Sequence, residues 1–196
     1  MKVNKFKRKY TGKAISVFKQ YGLRLSLEEV ASKMGITKKT LYNHFASKDE
    51  LLKDCIQSIS VDFQEAISGL DDRTNSAIEN LRIGFVRITD YFTELSPVFF
   101  FDIMHLDPNQ AMSEHLIGSK LFQHKIEANL KQGIDEGFYR GDLDTDFISR
   151  QLAYSIFGFY INNIINNNIM LSQSYFNDII EFNLRALVSE KGMEFL

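Results

Sequence analysis

Residues 26–52 read SLEEVASKMGITKKTLYNHFASKDELL, and this stretch decides the fold. Ser26 opens a helix, and Glu29 three residues on completes a capping box, in which each side chain satisfies the other residue's backbone N–H. Leu27, Val30, Ala31 and Met34 then recur at helical spacing along one face. Gly35 stops that helix, because glycine takes the left-handed backbone of a C-terminal stop without a steric penalty. Ile36 fills the turn, and Thr37 caps a second helix expected over 38–44. Leu41 and Phe45, four apart, face inward. Ser47 and Glu50 repeat the capping spacing, and Leu51 and Leu52 lead into a longer helix. Helix, glycine turn, helix is the layout of the helix-turn-helix unit, whose second helix enters the DNA major groove.

The side chains left outside on the second helix are Lys38, Lys39, Thr40, Tyr42, Asn43 and His44. Two lysines in a first turn oppose the helix dipole, which favours acidic residues there. The placement makes sense if the helix end points at phosphates or at guanine acceptors. Lysine can donate to guanine O6 and N7, and asparagine can pair with adenine N6 and N7. Tyr42 and His44 have the reach and the donors for backbone phosphates, as does Lys48 beside the N-terminus of the third helix. The competing reading is a solvated polar face on an ordinary helical hairpin.

VASKMGITKK followed by TLYNHFASKDELL resembles the DNA-binding domain of the TetR family of bacterial transcriptional regulators. The specific part is Thr-Leu-Tyr-x-x-Phe-x-x-Lys-x-x-Leu, which is complete here. The resemblance is close over about the first quarter of the chain and extends to the rest only in helical layout. It implies that Thr37, Lys38, Lys39, Thr40, Tyr42, Asn43, His44 and Lys48 occupy DNA-contacting positions on a double-stranded operator. Positions 38, 39 and 43 vary within the family, so no base preference carries over.

Charge is divided along the chain in the same sense. The net charge of the 196 residues is −2, but residues 1–53 hold 13 Lys and Arg against 4 Asp and Glu, a balance of +9, and the remainder balances to −11. Such asymmetry suits a head that meets a polyanion and a part that does not. The split gives two expected domains, an N-terminal DNA-binding domain over 1–53 and a ligand-binding and dimerisation domain over 54–196. Hydrophobic content of 44% and aromatic content of 13% suffice for a sizeable core, and two prolines leave little room for flexible linkers. A single cysteine, Cys55, cannot form an internal disulfide and suits a reducing compartment as a structural thiol. The basic start MKVNKFKRKY lacks the apolar run of a signal peptide, and no stretch reaches the ~20 apolar residues of a membrane span. A soluble, cytoplasmic protein with no membrane partner is expected.

An all-α fold of about nine helices follows from the periodicity. A first helix over 9–21 carries Ala14, Ile15, Val17, Phe18 and Tyr21 toward the helix-turn-helix core, and Gly22 stops it. The basic residues 2–9 before it form an arm, frayed or in contact with DNA. From Ser47 to about Ile67 there is neither Gly nor Pro, which predicts one continuous helix. Further helices are expected over 75–95, from Ser96-Pro97 through VFFFDIMHL, and over 110–136, 144–165 and 172–188. The turn GFYRGDLD also resembles a recurring junction in TetR-type regulators, as a weaker signal.

Aromatic residues crowd the C-terminal part, and each by itself suits plain core packing. For the whole, the family resemblance implies a small-molecule pocket between its helices, with Phe85, Phe92, Phe99, His105, Phe122, Phe157 and Tyr160 as candidates for an apolar effector. The last two helices carry more apolar surface than one face need bury. A homodimer interface through Ile148, Leu152, Ile156, Phe159, Tyr175, Ile179 and Phe182 would use it, with two recognition helices about 34–36 Å apart on a palindromic site. The resemblance implies a four-helix bundle built from both subunits. Four scattered histidines and the single cysteine make no zinc or catalytic constellation, so no metal, no cofactor and no enzyme activity are expected. The function expected is a ligand-responsive, DNA-binding repressor. Its rivals are a helical carrier or scavenger of hydrophobic molecules, and a DNA-binding regulator with no ligand.

Overall fold

The computed structural model describes residues 5–94, 99, 102, 119–166 and 173–196. These form nine α-helices: α1 Lys5–Tyr21, α2 Leu27–Lys33, α3 Lys38–Tyr42, α4 Lys48–Ile67, α5 Ala77–Glu94, α6 Ser119–Asp135, α7 Thr145–Asn166, α8 Gln173–Leu187 and α9 Glu190–Met193. A 3-10 turn, Ser68–Asp71, joins α4 to α5, and Tyr139 pairs with Val188 in one isolated antiparallel bridge. The fold is all-α. Two compact units divide it, Met1–Asp62 with Leu95–Ile117, and Phe63–Glu94 with Gly118–Leu196. The division falls within α4.

In the first unit, local chemistry sets every break. Gly22 and Gly35 stand at φ 78° and 68°, the left-handed backbone that ends α1 and α2. After Gly35 the N–H of Ile36 returns to the Ala31 carbonyl at 3.0 Å. Ser26 and Glu29 form the reciprocal capping box, and the Thr37 hydroxyl accepts the Thr40 N–H at 3.1 Å. Helix α3 is shorter than 38–44, but its bonding continues, since the N–H of Phe45 still reaches the Leu41 carbonyl at 3.0 Å. Ser47 Oγ accepts from Glu50 N–H at 3.1 Å, while the Glu50 carboxylate takes the N–H of Ala46 rather than that of Ser47. Ala14, Phe18, Val30, Leu41, Phe45, Leu51 and Cys55 are fully buried around these breaks. Burial pushes the Cys55 thiol pKa well up, as expected of a structural thiol. Tyr21 departs from expectation. It lies outside the core with the Lys33 ammonium 3.5 Å from its ring centre, a cation–π contact in place of burial.

The second unit is built around the 3-10 turn, against which α5 and α6 pack, with α7 on α6 and α8 on α5. Asn129 on α6 is buried and donates to the carbonyls of Leu70 and Ala77 at 2.8 and 2.9 Å. Its own carbonyl accepts from the Tyr139 hydroxyl at 3.2 Å. Phe63, Phe92 and Phe122 make a buried aromatic cluster, with Phe63 and Phe122 edge to face at 5.9 Å. Arg82 on α5 grips Glu181 on α8 through two nitrogens, at 2.7 and 3.0 Å.

Candidate nucleic-acid interface

A basic face is left where α3 packs on the small core. Leu41 and Phe45 anchor the helix from beneath, and Thr37 fixes where it starts. That orientation puts Lys38, Lys39, Tyr42 and Asn43 in solvent, with Lys38 61% and Tyr42 42% exposed. Thr40 is half-buried, and its hydroxyl shares a 2.8 Å hydrogen bond with that of Thr37. His44 is half-buried against Tyr10 of α1, ring centres 4.7 Å apart. Lys48 is half-buried at the first residue of α4. All eight residues read from the sequence thus lie on the segment from the α3 cap to the α4 start. Five of them, Thr37, Lys38, Lys39, Tyr42 and Asn43, are exposed.

Three further residues shape this face. Glu28 on α2 is exposed, and its Oε1 takes both the Lys38 ammonium and the Tyr42 hydroxyl, the latter at 3.2 Å. The Lys38 ammonium holds the Glu28 carboxyl below its ordinary range, and Glu28 raises Lys38 in return. Lys7 reaches from α1 to Glu50 and Asp54 of α4, at 2.8 and 2.9 Å. Tyr10 shapes it through its tilted ring contact with His44. The signal for Glu28 was absent from the spacing, because the pairing joins residues on two helices. Of the arm expected over 2–9, residues 5–9 instead form the start of α1, and residues 2–4 lie outside the described residues.

The other candidates divide differently. Phe85, Phe92 and Phe122 are buried in the second unit, whereas Phe99 is buried and belongs to the first. His105 lies outside the described residues, as do the side chains of Phe157, Tyr160, Phe159 and Tyr175. Leu152 and Ile156 are buried inside the subunit, and Ile148 and Ile179 are half-buried. Among the described residues, the exposed aromatics of α7 and α8 are Phe147, Tyr154 and Phe182, at 60%, 67% and 74%. Among the described residues no helix is long and apolar enough to cross a membrane.

A short capped helix held proud of a three-helix core, with lysine, tyrosine and asparagine outward, defines an all-α helix-turn-helix protein. Residues 12–55 match the family model described as bacterial regulatory proteins, tetR family. Over those residues the chain is similar to the TetR family. It is 27% identical over 143 residues to the HTH-type transcriptional repressor KstR2 of Mycobacterium tuberculosis, covering 70% of each chain. The solved structure of the ketosteroid transcriptional regulator KstR2 from that organism superposes with a TM-score of 0.70 at 22% identity, over 96% of this chain and 98% of that one. SmeT, the repressor of the Stenotrophomonas maltophilia multidrug efflux pump SmeDEF, gives a TM-score of 0.73 at 18% identity, over 96% and 92%.

Proposed function

We propose that this protein is a cytoplasmic transcriptional repressor that binds a palindromic operator as a homodimer and leaves it when a small apolar or amphipathic ligand binds. The observation that carries the reading is the exposed row Lys38, Lys39, Tyr42 and Asn43 on a helix fixed from below by Leu41 and Phe45. Lysine and tyrosine supply phosphate contacts, and Asn43 is placed for a base edge. Lys48 adds a cation at the start of α4, where the helix dipole also favours an anion such as phosphate. Residues 1–53 are the DNA-binding domain in this reading, and residues 54–196 bind ligand and partner.

Dimerisation is supported by α7, which is apolar around most of its circumference. One side, Leu152, Ala153 and Ile156, is buried within the subunit, while Phe147 and Tyr154 stand in solvent. A helix apolar over so much of its circumference asks for cover on more than one side. Phe182 on α8 is exposed in the same way. The ligand class is suggested by the aromatic content of the second unit and by relatives named for ketosteroid regulation and multidrug efflux. Release follows from differential affinity, since a ligand weakens DNA binding by as much as it prefers the DNA-incompetent state.

The test is selection of genomic fragments by the purified protein at two salt concentrations, beside Lys38→Ala/Lys39→Ala. Enrichment of a palindromic sequence that fades in the double variant and at higher salt is the expected result. Equal enrichment by both proteins would sink the reading.

A further inference from the structure

Two donors on α3 converge on one oxygen of α2. The ammonium of Lys38 and the hydroxyl of Tyr42, four residues apart and therefore on one face of the helix, both meet Glu28 Oε1. The same ammonium lies 5.4 Å from the centre of the Tyr42 ring, so the two side chains are gathered rather than splayed. A cation and a hydroxyl closing on a single anionic oxygen form a site for a phosphate oxygen. Lys38 and Tyr42 are also the residues that the DNA-binding reading assigns to the backbone. A phenolic hydroxyl has one proton to donate, so Tyr42 cannot serve Glu28 and a phosphate together.

We propose that Glu28 is an autoinhibitory carboxylate, occupying in the free protein the Lys38–Tyr42 cradle that a DNA backbone phosphate takes in the complex. This inference rests on the DNA-binding reading above. Binding then requires that the Glu28 contact open and that its charge remain near the duplex, a penalty levied on every sequence alike. The consequence is weaker binding to random DNA, so that base contacts decide where the protein stays. Glu28 is suited to the role because its carboxylate lies at the surface and is not the capping group of its helix. That capping falls to Ser26 and Glu29 instead.

The experiment measures affinity for a labelled 30-base-pair duplex of random sequence by anisotropy, from low to moderate salt. It compares the wild type with Glu28→Gln, Lys38→Ala and the double variant, each first checked for unchanged helical content. Glu28→Gln is expected to tighten binding about two- to fivefold at low salt, the range of an exposed ion pair. In the Lys38→Ala background that gain is expected to fall by more than half. Lys38→Ala alone should reduce the salt slope by about 0.9, one phosphate contact. Weaker binding by Glu28→Gln would overturn the proposal, because Glu28 would then be positioning Lys38 and Tyr42 for DNA. An undiminished gain without Lys38 would also overturn it, leaving plain repulsion between Glu28 and the duplex. Wild type that binds no duplex at low salt removes the DNA-binding reading, and the inference with it.

Discussion

The Asp102 carboxylate accepts the backbone N–H of Leu23 at 2.6 Å, joining residues 79 apart in sequence within the first unit. Leu23 is buried and follows Gly22, whose positive φ turns the chain from α1 toward α2. The carboxylate therefore fixes the turn that sets where the helix-turn-helix begins. Asp102→Ala leaves that N–H without this acceptor, and an unsatisfied buried donor costs about 1–3 kcal/mol. We expect a loss toward the lower end, since Asp102 is itself half-buried. Asp102→Asn keeps an acceptor oxygen and should recover most of it. Urea unfolding of the three proteins, with hydrogen exchange at the Leu23 amide, measures both effects. Equal exchange rates in wild type and Asp102→Ala would remove the contact from any structural role.

Tyr42 and Asn43 are neighbours with different expected duties. Tyr42 carries a phosphate donor, so Tyr42→Phe should weaken binding by a similar factor on operator and on random DNA. Asn43 is exposed at the end of α3, where its amide can pair with a base edge. Asn43→Ala should cost about 1–3 kcal/mol on the operator and little on random duplex, relaxing preference at one base pair. Titration of both variants against both duplexes separates the roles. A uniform loss for Asn43→Ala would reassign it to the backbone.

How much of this was legible in the sequence depends on how local the cause is. The capping of α2 by Ser26 and Glu29, that of α3 by Thr37 and the stops at Gly22 and Gly35 are short-range chemistry, and each stands as the spacing implied. Helix α7 shows where periodicity fails. Apolar residues fall over most of its circumference, so no face stands out, and the pattern cannot separate buried Leu152 and Ile156 from exposed Phe147 and Tyr154. Tyr21 shares a helical face with Val17 and Phe18, yet Lys33 offers its ring a cation outside the core. Glu28 and Asp102 were invisible for a different reason. Their partners are brought to them by the fold, and nothing in the adjacent sequence marks them.

The two faces of the last helices predict opposite phenotypes. Phe182 is 74% exposed, so Phe182→Glu should leave subunit stability nearly unchanged while shifting the protein from dimer to monomer and abolishing operator binding. Leu152 is buried within the subunit, and Leu152→Ala should cost about 2–5 kcal/mol through the cavity it opens. Sedimentation and chemical unfolding read the two effects independently. A Phe182→Glu protein that stays dimeric at micromolar concentration would move the interface to another surface.

Gly133 on α6 makes room for Tyr139. A Cβ at position 133 would fall within the ring of Tyr139, which is 2% exposed and bonded through its hydroxyl to Asn129. Asn129 in turn holds the carbonyls of Leu70 and Ala77, on either side of the link between the 3-10 turn and α5. Displacing the ring therefore disturbs the polar centre of the second unit as well as its packing. Helix propensity alone predicts that Gly→Ala stabilises a helix interior by about 1 kcal/mol. Overpacking of a filled site costs about 1–3 kcal/mol, and here the obstruction is a buried aromatic ring with no open side to move into. The net expectation for Gly133→Ala is destabilisation. Gly12 on α1 is the control, because it is exposed and a Cβ there meets nothing within 4 Å. Gly12→Ala should follow propensity and stabilise. Urea midpoints that move in opposite directions for the two variants would establish that Gly133 is kept for Tyr139, whereas stabilisation by both would show that the ring can be displaced freely.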